Sequence, residues 1–370
     1  MTDSERIIGG MIHVAKDMRL RLLKDRWLGF GLVFLLLGML LLAAEGKIVY
    51  PGEEWAEIAP ESVGMASGVL DALAADLGGR GCVIRNGYLV KSWGTTQRRG
   101  DWFSSAKPVF STLLFFAIEE GRVQSVHEKI SKYCWDFQPK DQGIEFFHLA
   151  NMISGYARPE RPGDAWAYND YGIQLYQMTL FDRVFNAPAA YVFLETNRLG
   201  PLQFQDNPAF RERNRRFVAS ARDFARIAWF WCRKGKWGDH QLLPKHYFDR
   251  FMKPQTPKDL PSTQPAATDD YFHIGTFGGE SDHFTEYGAG IYGFNWWFNL
   301  TGRLHPNSMT WPDAPADTVM SIGVRGNHSV IIPSLNLVLV NAYGNWGKFV
   351  PGDPESAFNQ SLKRLMSAVR

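Results

Sequence analysis

Cysteine is scarce in this sequence, and what there is cannot be fully paired. The three cysteines of the 370-residue chain, Cys82, Cys134 and Cys232, lie far apart and form no C-x-x-C pair. That spacing excludes a zinc ribbon and favours buried free thiols, with one disulfide left open if the domain is extracytoplasmic. No H-E-x-x-H run is present, and no glycine-rich phosphate loop follows a strand pattern, so a zinc protease and a nucleotide-binding enzyme are both unsupported. Neither a metal nor an organic cofactor is expected. Excess charge is lacking too. Residues 1–26 hold six basic groups (Arg6, Lys16, Arg19, Arg21, Lys24, Arg26) against four acidic ones (Asp3, Glu5, Asp17, Asp25), which is the whole net charge of +2. The neutral remainder has no basic footprint for nucleic acid.

The longest feature that is present is an apolar run. Residues 27–44 (WLGFGLVFLLLGMLLLAA) are 18 residues without a charge, about 27 Å of helix at 1.5 Å per residue, close to a bilayer's hydrocarbon core. Lys16, Arg19, Arg21, Lys24 and Arg26 precede it, while Glu45, Glu53, Glu54 and Glu57 follow. The positive-inside rule then predicts one transmembrane anchor, residues 1–26 cytoplasmic and the body outside. In a bacterium this is a single pass of the inner membrane with a periplasmic domain. A cleaved signal peptide is the competing reading, although its apolar core is usually shorter and Leu42 with Ala44 is a poor cleavage site. Residues 45–60 read as a polar tether and 61–370 as the folded domain.

Within that domain, residues 64–77 have apolar positions at helical spacing. Residues 82–93 read as two strands turning at Asn86-Gly87, a strong hairpin signal. Residues 103–121 read as a largely apolar helix with Ser104 near its start and Pro108 in the first turn, where a missing N–H costs little. From about 122 to 270 the pattern is mostly helical. Strand patterns return at 291–300, 319–324, 329–332 and 335–341, before a last helix over 355–369. Strands from both ends with helices between them predict an α+β fold: an antiparallel sheet flanked by helices, a mostly helical lobe, and a cleft where the two meet.

The chemistry centres on Ser104-Ser105-Ala106-Lys107, an S-x-x-K tetrad. Positions i and i+3 share a helix face, so the lysine amine reaches the serine hydroxyl. Serine is a weak nucleophile until a neighbour accepts its proton, and lysine does this only when neutral. The helix start also presents free N–H groups toward developing negative charge.

Two further segments, IEFFHLANMISG (144–155) and PGDAWAYNDYGIQLY (162–176), follow the tetrad in order. Together the three resemble the β-lactamase-related serine hydrolases: class C β-lactamases, penicillin-binding proteins of the D-alanyl carboxypeptidase type, esterases and nylon-oligomer hydrolases. The resemblance spans residues 60–345, including SARDFARIAWFWCRKGKWGDHQLLP (220–244) and EYGAGIYGFNWWFN (286–299). It implies that Ser104 is acylated, that Lys107 is its base partner, and that Tyr168 relays protons to the leaving group as the tyrosine of a Y-x-N motif. Here the third position is Asp170, which accepts hydrogen bonds but adds a charge favouring a protonated lysine. The literal Y-x-N at Tyr343-Gly344-Asn345 lacks the Pro-Gly context and is set aside. The family's Lys-Thr-Gly is absent, and Val324-Arg325-Gly326 is its nearest counterpart. By that resemblance Arg325 supplies a cation for a substrate carboxylate, and the backbone near Gly326 and Asn327 supplies an oxyanion donor beside the N–H of Ser104. His148 is expected to be structural, since no G-x-S-x-G elbow accompanies it.

The expected activity is hydrolysis of a small ester, amide or peptide. A cell-wall D-amino-acid peptidase or β-lactamase is the alternative, and a catalytically weak, membrane-tethered binding protein of the same fold is a second.

Overall fold

Chain reversal at Asn86-Gly87 builds the first edge of the molecule. Both residues take positive φ, 54° and 90°, the geometry that a two-residue hairpin needs to match strand twist. In the computed structural model, which describes residues 47–279 and 284–370, helix α1 (Ser67–Leu77) leads into strands β1 (Arg80–Arg85) and β2 (Tyr88–Trp93) around that turn. A 3-10 turn at Phe103–Ala106 then opens helix α2 (Lys107–Glu119). Every α2 residue from Lys107 to Ala117 is buried, as a helix apolar on all sides requires. Helix α3 (Asp170–Met178) runs on into a π-helix, and α4 (Ala221–Cys232) follows. The chain ends with β3 (Tyr292–Gly293), β4 (Trp296–Phe298), β5 (Val319–Gly323), β6 (Asn327–Ile332), β7 (Leu337–Ala342) and helix α5 (Ala357–Ser367).

These strands form one seven-stranded antiparallel sheet in the order β2-β1-β7-β6-β5-β4-β3. Pairing of β1 with β7 (Cys82 opposite Val340) joins the two ends of the domain. Strands β5, β6 and β7 are buried at every position, which requires cover on both faces. Alternation along β6 shows how that cover is divided. Ser329 points toward the 3-10 turn before α2, and its neighbour His328 points the other way, onto Phe358 of α5. Helix α4 lies on β1, β6 and β7, and its Trp231 indole donates to Thr112 of α2 at 2.9 Å.

The expected α+β architecture is present, with three corrections. Residues 291–300 are a hairpin, β3 and β4, turning at Phe294 and Asn295 (φ 45° and 71°). Its strands are too short to alternate visibly. The 122–270 block is not purely helical either. Phe217–Ala219 pairs with Gly100–Asp101 and Ala209–Phe210 in a three-stranded side sheet, and α4 belongs to the main sheet. Finally, the stretch expected as a tether is folded against the body from Val49 onward. Val49 donates to the Asn86 carbonyl at 2.9 Å, and buried Arg226 donates to the carbonyls of Gly52 (2.8 Å) and Glu53 (2.9 Å). Its acidic side chains face out while its backbone is held. The apolar run at 27–44, with the membrane orientation drawn from it, lies outside the described residues; among those described, no helix is long and apolar enough to cross a membrane.

Candidate active site

The serine turn is held from both sides. Ahead of it, buried Asp101 accepts the Phe103 amide at 2.8 Å and pairs with Arg211 (2.7 Å) and Arg216 (2.9 Å). Phe103 itself has φ 49°, the left-handed region that costs a bulky residue energy and persists only where the surroundings enforce it. Behind it, three fully buried hydroxyls form a ladder. Ser105 Oγ lies 2.6 Å from Ser321 Oγ on β5, which lies 2.7 Å from Ser329 Oγ on β6. Gly323, the last residue of β5, abuts the turn: a Cβ there would come within 2.7 Å of the Trp102 carbonyl and 2.8 Å of the Ser105 amide. Only glycine fits so close an approach.

From this turn Ser104 and Lys107 project toward Tyr168 and Asp170. Lys107 Nζ is 2.9 Å from Ser104 Oγ, 2.9 Å from the Tyr168 hydroxyl and 2.7 Å from Asp170 Oδ1. The lysine is 0% exposed, Tyr168 and Asp170 1% each, and Ser104 7%, so the serine alone retains some access. Burial first, then the negative charge of Asp170, pushes the Tyr168 hydroxyl well above the usual tyrosine range; hydrogen bonding with Ser104 opposes this only weakly. Tyr168 is therefore a neutral phenol at physiological pH.

Local sequence explains the placement. Asn169 caps α3, its side-chain oxygen accepting from the amides of Tyr171 (3.0 Å) and Gly172 (3.2 Å). That leaves Tyr168 just outside the helix and Asp170 as its first residue, both facing Lys107. Tyr168 is further fixed by its amide, which donates to Thr285 Oγ1 at 3.0 Å, and by its ring, stacked at 22° on Trp297.

The other expected site residues are placed differently. Arg325 is exposed at the tip of the β5–β6 hairpin, its guanidinium 5.4 Å from the Phe103 ring, with Arg216 at 5.1 Å from the same ring. Gly326 backs onto Gly344, whose amide donates to its carbonyl at 3.1 Å. Asn327 pairs with Gly323 in the ladder, and its side chain bonds the Val324 carbonyl at 2.8 Å. Gly323, not Gly326, is thus the strand residue at the serine turn. The length of the hairpin loop displaced the expected position by three residues; a glycine closing a buried strand was the signal that could have found it. His148 caps its own helix, accepting the Glu145 amide at 3.0 Å, and Tyr343 lies exposed beneath Arg80. Cys82 and Cys232 are buried free thiols, each pushed up to about 12 by burial, and Cys134 is free and exposed. Among the described residues no cluster of His, Cys, Asp and Glu is arranged for a metal ion.

The backbone resembles solved hydrolase structures. A β-lactamase from Mycobacterium bovis matches with a TM-score of 0.56 at 17% identity, over 82% of this chain and 100% of its own. A β-lactamase/D-alanine carboxypeptidase from Yersinia pestis has a TM-score of 0.55 at 16% identity, over 81% and 97%. A Bacillus anthracis protein provisionally named 6-aminohexanoate-dimer hydrolase has 0.55 at 14%, over 79% of each chain. No family model and no curated protein sequence matches the chain. The likeness is therefore one of fold: this is the fold of β-lactamases and penicillin-binding proteins.

Proposed function

We propose that the chain is a serine hydrolase, transferring the acyl group of an ester or amide to water through Ser104. The observation that carries this reading is Lys107 Nζ, buried and 2.9 Å from both the Ser104 and Tyr168 oxygens. In the proposed reaction Ser104 Oγ bonds to the substrate carbonyl carbon while neutral Lys107 takes its proton. The backbone N–H of Ser104, with a second main-chain donor from the end of β5 that abuts the serine turn at Gly323, holds the carbonyl oxygen as it gains charge, worth about 3 kcal/mol per donor. As the tetrahedral intermediate collapses, the Tyr168 hydroxyl gives its proton to the leaving group and is resupplied by Lys107. Water then attacks the acyl-enzyme by the reverse route, releasing the acid and free Ser104.

The fold does not choose among esters, amides, D-amino-acid peptides and β-lactams. The exposed Arg325 guanidinium beside Phe103, next in sequence to Ser104, favours a substrate carrying a carboxylate. One observation favours the binding-protein reading: Asp170, paired with Lys107, holds the proton that the base must lose.

Intact-mass analysis after exposure to a fluorophosphonate separates the two. One adduct on the parent and none on Ser104→Ala is expected; no adduct on folded parent would falsify the hydrolase reading in favour of binding. We further propose, on the apolar run at 27–44 and its basic flank, an inner-membrane anchor with the hydrolase body periplasmic. Protease added to spheroplasts is then expected to digest the body.

A further inference from the structure

One side of the Asp170 carboxylate meets Lys107; the other is closed by main chain. Oδ1 accepts from Lys107 at 2.7 Å. Oδ2 lies against Gly278, where an added Cβ would overlap it and fall 3.1 Å from the carboxyl carbon. Gly278 is not among the residues with positive φ, so its backbone would accept an alanine. What the missing side chain serves is the room occupied by Asp170.

The loop carrying Gly278 is held on several sides. Asp270 accepts hydrogen bonds from the amides of Ile274 (3.3 Å) and Gly275 (2.8 Å) and from the Tyr156 hydroxyl (2.5 Å). The Tyr156 carbonyl in turn holds the side chain of Asn169, the α3 cap, at 2.6 Å. Next to Gly278, the Phe277 amide donates to the Asp170 carbonyl at 3.1 Å, and its carbonyl accepts from Asn214 Nδ2 at 3.1 Å. A methyl group at 278 would therefore meet the rotatable carboxylate, while the main chain leading to it is held through Phe277.

We propose that Gly278 is a positioning residue: it leaves the space in which Asp170 lies against Lys107, and so sets how readily Lys107 takes the Ser104 proton. The inference rests on the hydrolase reading. Among the described residues, three titratable side chains face this carboxylate: Lys107 from α2, Tyr168 from the segment before α3, and Tyr292 from β3. Burial keeps both tyrosines protonated.

The test uses the full-length chain with Gly278→Ala, Asp170→Asn, Asp170→Ala and the Asp170→Ala/Gly278→Ala pair, following fluorophosphonate labelling of Ser104 against pH. Withdrawing an opposing charge from a lysine lets it lose its proton more readily. Gly278→Ala is therefore expected to move the acid limb about one pH unit or more downward, in the direction of Asp170→Asn. Added to Asp170→Ala, where the space is already vacant, it should change the rate less than about two-fold. A Gly278→Ala profile overlying the parent's, or an equal effect in both backgrounds, overturns the proposal. Thermal midpoints provide a readout independent of turnover: Gly278→Ala should lower Tm in the parent and not in Asp170→Ala. If the parent is never labelled, the hydrolase reading fails, while this cycle still decides whether Gly278 acts through Asp170.

Discussion

Around Lys107, among the described residues, three oxygens converge within hydrogen-bond distance, of which the one on Asp170 belongs to a carboxylate. The proposed roles follow from that asymmetry. Lys107 sits between the nucleophile and the leaving-group donor, and Tyr168 keeps its proton because its anion would be buried beside a carboxylate. Tyr168→Phe should therefore cut turnover of poor leaving groups such as amides by about 10²–10⁴-fold. Activated aryl esters, which leave without protonation, should be affected far less. A paired comparison of kcat/KM for the two substrate types checks this, and equal losses would remove Tyr168 from the leaving-group step. The sign of its shift gives a second expectation. A hydroxyl raised above its ordinary value stays protonated as pH rises, so turnover should show no alkaline limb from Tyr168 below about pH 10.

At the scale of elements, the serine turn depends on strands that come more than two hundred residues later. Ser321→Ala removes the middle hydroxyl between Ser105 and Ser329; Ser105 keeps the Ser321 carbonyl at 3.3 Å, so the buried Ser329 hydroxyl is the one left short of a partner, a cost of about 1–3 kcal/mol. Urea unfolding should register that loss together with slower labelling of Ser104. The other face of β6 adds a pH response. His328 is lowered to about 3 by burial, opposed by a hydrogen bond at Asn327, and its Nδ1 accepts the Gly323 amide at 3.3 Å. A depressed histidine stabilises the fold above its ordinary value near 6.5, and that contribution is lost as pH falls toward its folded value. Between about pH 6.5 and 3 the loss should approach 1.4 kcal/mol per unit. Denaturation midpoints of the parent and His328→Gln should therefore converge on acidification; parallel curves would exclude this histidine.

For the whole molecule, stability and chemistry are separable because the clamp that closes the domain is not part of the pocket. Arg226 of α4 is buried, lowered to about 10 by that burial, and donates to the carbonyls of Gly52, Glu53 and Leu202. Arg226→Ala strands these acceptors and should cost at least about 3 kcal/mol, while the protein that remains folded is labelled at Ser104 at the parent rate. Much of the design was legible beforehand. The Ser104–Lys107 spacing, the Asn86-Gly87 turn and the all-round apolar character of α2 are local facts, because helical and strand periodicity decide which neighbours in sequence share a face. Tyr168 and Asp170 were legible only by resemblance, since 61 and 63 residues separate them from Lys107. The tertiary structure alone decided that Gly323 and not Gly326 meets the serine turn, that Gly278 makes room for Asp170, and that residues 49–60 fold onto the body. Each of these depends on loop path and on the volume left between elements, quantities set by packing and absent from any periodicity along the chain.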